Sequence, residues 1–366
     1  MRKTRLCIIC GGQSAEHEVS LQSARNVIAA VNRDRFDVVL IGIDKTGTWN
    51  RYDSTNFLRN ANDPSSICLA NPEATMTLAR VDGLGCIVQL GSGGEPVPVD
   101  VVFPVLHGTF GEDGAIQGML KMVGIACVGC DITSSSVCMD KDIAKRLLQH
   151  AGLPVARGVA VDACEQRNFD VEHIIDSLGL PLFVKPARLG SSVGIRKVKN
   201  REELNAAVAN AFKYDSKVLV EECIKGREIE SSVLGNRDLR VSVPGEIITR
   251  NGFYSYEAKY VDEEGTQLCA PADLDEATAE RIKEIAAKSF QALSCKGMAR
   301  VDCFLTDGGE VVVNEVNSIP GFTQISMYPR LLQLSGISYP ELVEELVRLA
   351  LERFAQEQAL MTDYCS

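Results

Sequence analysis

The chain lacks a basic excess. Its 366 residues carry 38 Lys and Arg against 49 Asp and Glu, a formal net charge of −11. That is not the positive footprint of a nucleic-acid binder. It also lacks a long apolar run, so no segment approaches the ~20 apolar residues of a membrane span. The run after the basic start Met1-Arg-Lys-Thr-Arg5 stops at Gly11-Gly12, too short for a secretory core. A cytoplasmic protein with no membrane partner is expected. Four widely spaced histidines offer no metal cluster. No G-x-G-x-x-G follows the first apolar strand, which excludes the dinucleotide fingerprint. Cysteine is plentiful, at thirteen. The thiols are scattered, odd in number and often set in apolar runs (Cys7, Cys86, Cys303), so they read as reduced core residues rather than a disulfide framework. Cys7–Cys10 and Cys127–Cys130 have C-x-x-C spacing, but in apparent strands, where residues three apart face opposite ways.

What is present is ordinary globular composition, 45% apolar and 24% charged, at a length that implies two or three domains. Leu6–Cys10 reads as a strand, Ser14–Ala30 as a helix and Phe36–Ile43 as a strand, a β-α-β start typical of a parallel sheet. Residues 44–97 are weakly patterned and read as a loop-rich insertion. Val99–Val105, a helix Ala115–Val123 and a strand Ala126–Val128 complete a first domain, 1–130. A helix Val137–Ala151, strands near Val155–Val161 and Leu182–Pro186, a helix Arg201–Phe212 and a strand Lys217–Glu222 make a smaller second domain, 131–225. The third, 226–366, has strands Glu228–Gly235 and Gly245–Ile248. A helix-poor stretch over 249–272 follows, of the kind that forms a lid. Then come a helix Glu276–Leu293, a hairpin, and a last helix opened by the capping box Ser338-Tyr-Pro-Glu341. That helix's Leu342, Leu346 and Leu349 should pack on the third domain.

The hairpin carries the chemistry. Ala299–Leu305 and Glu310–Val316 flank Thr306-Asp-Gly-Gly309, strong turn chemistry. Alternation puts Arg300, Asp302 and Phe304 on one face, and Val301, Cys303 and Leu305 on the other. An even-length loop sets Asp302 opposite Val313 and brings Glu315 and Asn317 to the Arg300 face. An odd-length loop would break the set. Two carboxylates and an amide oxygen beside an arginine suit Mg²⁺, which uses one or two carboxylates and leaves other positions to water and phosphate. The same pattern, taken alone, also describes a solvated face with a chance ion pair.

Other stretches share that double reading. Lys185-Pro-Ala-Arg-Leu-Gly190-Ser-Ser-Val-Gly194 leaves a strand with glycines and serines that suit phosphate oxygens, though a plain turn needs no ligand. It does not have the Walker order. Lys141 and Lys185 are phosphate-type point charges or surface lysines. Glu221 and Glu222 end a strand at a domain junction, where a purine ring could sit. Glu16 lies near a helix start, offsetting the macrodipole or binding a substrate ammonium. His107 follows a strand at the edge where open α/β sheets bind ligands.

Taken in order, these residues resemble the D-alanine–D-alanine ligases of the ATP-grasp superfamily. The blocks are Gly11-Gly-Gln-Ser-Ala-Glu-His-Glu-Val-Ser-Leu21, His107-Gly-Thr-Phe-Gly-Glu-Asp-Gly114, Met139-Asp-Lys-Asp142, Val184-Lys-Pro186, Gly190-Ser-Ser-Val-Gly194, Glu257-Ala-Lys-Tyr260, Arg300-Val-Asp302 and Asn314-Glu-Val-Asn-Ser-Ile-Pro-Gly321. The resemblance implies an α/β fold of three domains, a Rossmann-like parallel-sheet domain followed by two α+β lobes that clasp ATP. It implies ATP-dependent joining of two D-alanines through a D-alanyl phosphate, for peptidoglycan precursors. Within it, Lys141, Lys185 and Ser192 meet nucleotide phosphates. Glu221 meets the adenine amino group, the backbone of Glu222 and Ile224 the ring edge, and Glu228 the ribose. Asp302, Glu315 and Asn317 hold Mg²⁺ or Mn²⁺, as two ions. Glu16, Ser191 and Tyr260 form a hydrogen-bonded group at the first D-alanine, near His107. Lys259 and Ser326 meet the second, and Arg300 faces the reacting carboxyl. A homodimer is also implied. Ser318 stands where the family often has threonine, and Arg188-Leu189 is unusual in the phosphate loop. Other readings are a different ATP-grasp carboxylate–amine or D-alanine–D-lactate ligase, or a non-catalytic nucleotide-binding module.

Overall fold

Apolar strands near the N-terminus build one end of the protein. The computed structural model describes residues 2–91, 93–164, 169–249 and 266–361. Ala126–Cys127, Val101–Val105, Thr4–Gly11 and Phe36–Ile43 lie side by side, all parallel. Leu6, Ile8, Val101 and Phe103 point into one core, and Cys7, Ile9 and Val102 into another. Both faces of such a sheet must be covered. The helix Ala115–Val123 covers one with Ile116 and Leu120. The helix His17–Ala30 covers the other with Leu21, Ala24 and Val27. Cys7 and Cys10 fall on opposite faces, as expected, and burial pushes both thiols upward, Cys10 to about 12.

Residues 44–97 keep long loops but also hold strands that the sequence pattern did not reveal. Trp49–Tyr52, Ala74–Val81, Leu84–Gln89 and Val97–Pro98 extend the same sheet to eight strands in antiparallel fashion. Inward Met76, Leu78 and Ile87 are separated by small and polar residues, which makes the alternation faint in sequence.

Two further sheets follow. Gly158–Asp162, Lys217–Glu222, Leu182–Pro186 and Arg196–Val198 form an antiparallel sheet backed by Ile174, Leu204 and Val208 of two helices. Thr266–Cys269, Gly245–Thr249, Gly226–Gly235, Gly297–Thr306 and Val311–Asn317 form the third in that order, with Arg240–Val241 pairing beside Gly226–Gly235. The helix Glu276–Ala292 packs Ile282, Ala286 and Phe290 on its Val301, Cys303 and Val313 face. The opposite face is thereby left for polar residues. Thr249 pairs with Thr266. Lys259 and Tyr260, with most of the expected lid, lie outside the described residues.

Three further expectations need correction. The helix over Val137–Ala151 is two helices, Ile132–Met139 and Lys141–His150. Asp140 breaks it, extended at ψ 96°, and its carboxylate accepts from Ile143 N at 3.1 Å, the N-cap role Asp favours over a helix interior. The strand expected from Val155 starts at Gly158, while Val155 bridges to Val313. The last helix, Tyr339–Gln358, packs on more than the third sheet. Leu342, Leu346 and Val347 share one core with Leu6, Ile8 and Val101 of the first sheet and with Leu234 and Met298 of the third. Arg353 adds bonds to Gly129 O at 2.6 Å and Cys127 O at 2.8 Å. No helix among the described residues is long and apolar enough to cross a membrane.

The first and third sheets meet backbone to backbone. Gly297 has φ +72°, and a Cβ there would lie 3.2 Å from Gly129 Cα. Left-handed backbone costs a non-glycine residue roughly 1–3 kcal/mol. Gly297→Ala should therefore lower the thermal midpoint by several degrees, measured by circular dichroism, whereas Gly83→Ala, also at positive φ but facing open space, should cost less.

Candidate functional site

The ribbon reaches the expected face by an unexpected route. Its turn is odd. Thr306 N donates to Glu310 O at 2.9 Å, leaving three residues between them, with Gly309 at φ +80°. Alone, this register would set Asp302 opposite Asn314. A bulge then adds one residue, so that Cys303 pairs with Val313 but Asp302 pairs with Glu315 and Arg300 with Asn317. Asp302 is thus not opposite Val313. The bulge restores the parity that the turn breaks, and Arg300, Asp302, Glu315 and Asn317 share one face.

The next strand lengthens this row. Glu230 pairs with Asp302 from the other side, so Glu230, Asp302 and Glu315 stand abreast on three strands. Arg300 Nε and Nη2 each donate to Asp302 at 2.8 Å, and Nε lies 3.3 Å from Glu230 Oε2. Asn317 Nδ2 donates to Asp302 Oδ2 at 2.9 Å. Burial would lower the Arg300 pKa, but Asp302 and Glu230 hold it well above its usual value. Among the described residues no three His, Cys, Asp or Glu form a ready metal cage. The donor types still fit a hard cation: carboxylates and an amide oxygen, with an arginine seated where the ion would add charge.

The second sheet faces this row with lysines. Lys141 opens its helix because Asp140 caps it, and Lys217 ties Asp140 and Asp142 at 2.9 and 3.1 Å. Lys141 Nζ donates to Leu189 O at 2.8 Å and lies 3.5 Å from Glu315. Lys145 and Lys185 flank Glu221, each at 2.7 Å, and Lys185 Nζ donates to Asn314 Oδ1 at 3.4 Å. Glu221 is 1% exposed. Burial alone would raise its pKa, yet the two lysines bring it to about 2. The lysines themselves diverge: burial wins at Lys145, which is lowered, and Glu221 wins at Lys185, which is raised. With a cation at 2.7 Å on each side, Glu221 is ionised. Glu222 instead accepts from Arg157 N and Nε, both at 2.8 Å, and its own N–H donates to Arg157 O. Ile224 follows it in the link to Gly226. Glu228 pairs with Phe304 and raises Lys185 from a distance.

On the first sheet's edge, Glu16 accepts a short hydrogen bond from Ser191 Oγ. Ser191 and Ser192 both hold left-handed backbone, φ +50° and +58°, a strain typical of ligand loops. A cavity of about 420 Å³ opens here, lined by Ser14, Glu16, Gly108, Gly190, Ser191 and Val193 among others. A Cβ at Gly108 would come within 3.1 Å of Glu16 Oε2, so the backbone crowds that carboxylate. His107 is buried. Its Nδ1 faces Ile319 O at 3.1 Å and so carries the proton, while Nε2 faces Ser23 Oγ at 3.3 Å. Both ring nitrogens are thus engaged within the protein. Ser326 begins the helix Met327–Leu334 and accepts from Thr323 N at 2.9 Å.

The structure therefore brings Glu16 to Ser191, Lys141 to Glu315, Lys185 to Glu221, and Arg300 and Asn317 to Asp302. Three further residues join them. Lys145 lies one helical turn past Lys141, and that spacing could have flagged it. Glu230 needed the register of a distant strand. Glu112 lay inside the His107–Gly114 block. Its carboxylate accepts from Gly108 N at 2.7 Å and Ile319 N at 3.3 Å, so Glu112 and His107 together hold both backbone polar groups of Ile319, its N–H and its carbonyl.

Two antiparallel sheets that oppose lysines to a carboxylate ribbon, next to a strained Gly-Ser loop, define an ATP-grasp enzyme. Models of the D-ala D-ala ligase N-terminus and C-terminus match residues 5–130 and 147–348. The chain belongs to the D-alanine–D-alanine ligase family. It is 51% identical over 362 residues to a D-alanine–D-alanine ligase of Shouchella clausii, covering 98% of each chain. It is 50% identical over 364 residues to D-alanine–D-alanine ligase A of Escherichia coli K12, covering 99% of this chain and 100% of the other. Among solved structures, the D-alanine–D-alanine ligase of Coxiella burnetii matches with a TM-score of 0.85 at 36% identity, covering 98% of this chain and 97% of that one. A D-Ala:D-Ser ligase of Enterococcus faecalis matches with the same TM-score at 38% identity, over 95% and 100%.

Burial first, then the neighbouring Glu16, raise Glu112 to about 8. Its folded pKa lies above its unfolded value, so the native state holds the extra proton between the two. Stability from this group is therefore lost as pH rises from about 4.5 toward 8. Glu112→Gln removes that dependence. Urea midpoints at pH 5 and pH 8 should show the variant gaining on the parent as pH rises.

Proposed function

We propose that the protein joins two molecules of D-alanine into D-alanyl-D-alanine with hydrolysis of ATP to ADP and phosphate, supplying peptidoglycan precursors. Half-identity to D-alanine–D-alanine ligases over nearly the whole chain carries this reading. The charge arrangement supports it independently. A carboxylate is a poor acyl donor, because its carbon is electron-rich and oxide is a poor leaving group. Moving the γ-phosphoryl group to the first D-alanine carboxylate makes an acyl phosphate. The amine of the second then attacks that carbon, and phosphate leaves.

This chain's residues divide that work. Lys141 and Lys185 take the nucleotide phosphates, with Ser192 beside them. Glu221 receives the adenine amino group, the backbone at Glu222 and Ile224 the ring edge, and Glu228 the ribose. Glu16 binds the first substrate's ammonium, with Ser191 holding Glu16. His107 holds the Ile319 peptide and orients the segment around it. Arg300 stabilises the tetrahedral oxyanion. Lys259, Tyr260 and Ser326 receive the second D-alanine, and the lid excludes the water that would hydrolyse the acyl phosphate. A divalent cation, Mg²⁺ or Mn²⁺ and as a pair of ions, would be held by Asp302, Glu315 and Asn317 and would neutralise phosphate charge. Three units, 1–130, 131–225 and 226–366, a cytoplasmic location and a homodimer belong to the same reading.

The test is phosphate release with ATP and Mg²⁺. D-Alanine should stimulate it and L-alanine should not. The likeness to a D-Ala:D-Ser ligase makes D-serine the acceptor to compare, together with D-lactate at neutral pH. Preference for either over D-alanine would overturn the acceptor assignment. Asp302→Ala and Glu315→Ala should each lower turnover by orders of magnitude with an unchanged circular dichroism spectrum. Normal Mg²⁺-dependent release by either would remove the metal assignment.

A further inference from the structure

Glu230 belongs to no element of the function described so far, yet it stands in the middle of it. It is 2% exposed, on the central strand Gly226–Gly235, and abreast of Asp302. A carboxylate is rarely buried this deeply unless paired. Its partner is Arg300, whose Nε lies 3.3 Å from Glu230 Oε2 and 2.8 Å from Asp302 Oδ1. One guanidinium thus stands between two carboxylates.

That arrangement conflicts with a metal role for Asp302 as it stands. Arg300 holds Asp302 through two N–H groups, and Asn317 presents its amide nitrogen, not its oxygen, to the same carboxylate. A cation at Asp302 Oδ2, which accepts from both groups, must displace the guanidinium N–H there, and Asn317 must turn its amide. An arginine expelled from one buried carboxylate with no second one nearby would leave a buried, unpaired charge, the costliest outcome for such a pair. Glu230 removes that cost. The shift needed is small, since Nε is within half an ångström of the same distance from both acids.

The geometry points to Glu230 as a positioning residue that holds Arg300 when a divalent cation takes Asp302. The inference rests on the metal reading above. Glu230 touches neither cation nor substrate. It sets how readily Arg300 leaves Asp302 and where its guanidinium then stands, one strand closer to the centre of the sheet. In the resting protein, the arginine occupies part of the cation's place, and the row of three acids with Arg300 and Lys141 is not strongly negative. When a cation binds, Glu230 keeps the arginine within the row.

The test is Mn²⁺ binding to the whole protein saturated with ADP, read as free Mn²⁺ by electron paramagnetic resonance. Glu230→Gln should weaken Mn²⁺ binding about tenfold, the scale of coupling within one ion-pair network. In an Arg300→Gln background the same change should weaken it less than about threefold, because no arginine then competes for Asp302. An equal loss in both backgrounds would make Glu230 a plain contributor of negative charge, and no loss in the parent would remove its role. Either result overturns the inference. Asp302→Asn separates this from the metal reading: binding at the parent level there would end that reading itself. Glu230→Asp keeps the charge on a shorter arm and should fall between parent and Glu230→Gln. Its own cycle with Arg300→Gln carries the same outcomes if Glu230→Gln does not fold.

Discussion

Carboxylates gathered out of water must be neutralised or protonated, and that constraint shapes the protein's centre. Glu221, Glu230 and Asp302 are each at most 2% exposed. Each has a cation against it: Lys145 and Lys185 on Glu221, and Arg300 on the other two. The cations come from different elements, so satisfying the charges fixes how those elements meet. Lys141 and Lys185, from the second sheet's side, reach Glu315 and Asn314 on the ribbon of the third. The two sheets are joined here by polar contacts, while the first and third share an apolar core through the last helix. Polar contacts exchange partners more easily than a packed core can shear. The joint where a nucleotide is proposed to bind is therefore the joint built from exchangeable contacts.

Hydrogen bonds also couple the first sheet to this centre, in part through one backbone segment. Ile319, two residues past Asn317, offers its N–H to Glu112 and its carbonyl to His107. Both partners come from the loop that also crowds Glu16 through Gly108. Glu16 in turn holds Ser191 of the strained loop, whose neighbour Leu189 holds Lys141. These side-chain hydrogen bonds form one connected path from the first sheet's loop to the ribbon and to Lys141.

Much of this was legible in sequence, and the reasons for the rest are specific. The β-α-β start, the hairpin and the last helix are carried by strong local periodicity. The set of Arg300, Asp302, Glu315 and Asn317 on one face was reached, but by a cancellation. The turn is odd where an even one was assumed, and the bulge at Asn314 supplies the missing residue. A bulge leaves little trace in sequence beyond an extra polar residue, here an Asn between Val313 and Glu315. The break at Asp140 was hidden because apolar spacing runs across it, although Asp is a capping residue. Glu230 was out of reach. Its place beside Asp302 depends on pairing strands about seventy residues apart, and nothing local encodes that register. The strands between 44 and 97 were missed because they sit at the sheet's outer part, where small and polar residues suffice.

Stability does not explain the charges that remain. Replacing a buried ion pair with well-packed apolar residues is often neutral or favourable, because desolvation consumes the Coulomb gain. A triad of Lys145, Glu221 and Lys185 at 2.7 Å on each side is therefore a poor device for holding a helix to its sheet. Elsewhere in the same lobe apolar packing suffices, with Val171, Ile174, Leu204 and Val208 of two helices set against the strands of that sheet. What a triad offers that leucines do not is a cationic group held in a buried place against a carboxylate. Glu221 supplies the countercharge that offsets burial at Lys185 and raises it, while at Lys145 burial outweighs the same carboxylate. A site that must receive a polyanion needs cations already present and already desolvated. The buried acids are what permit them to be there.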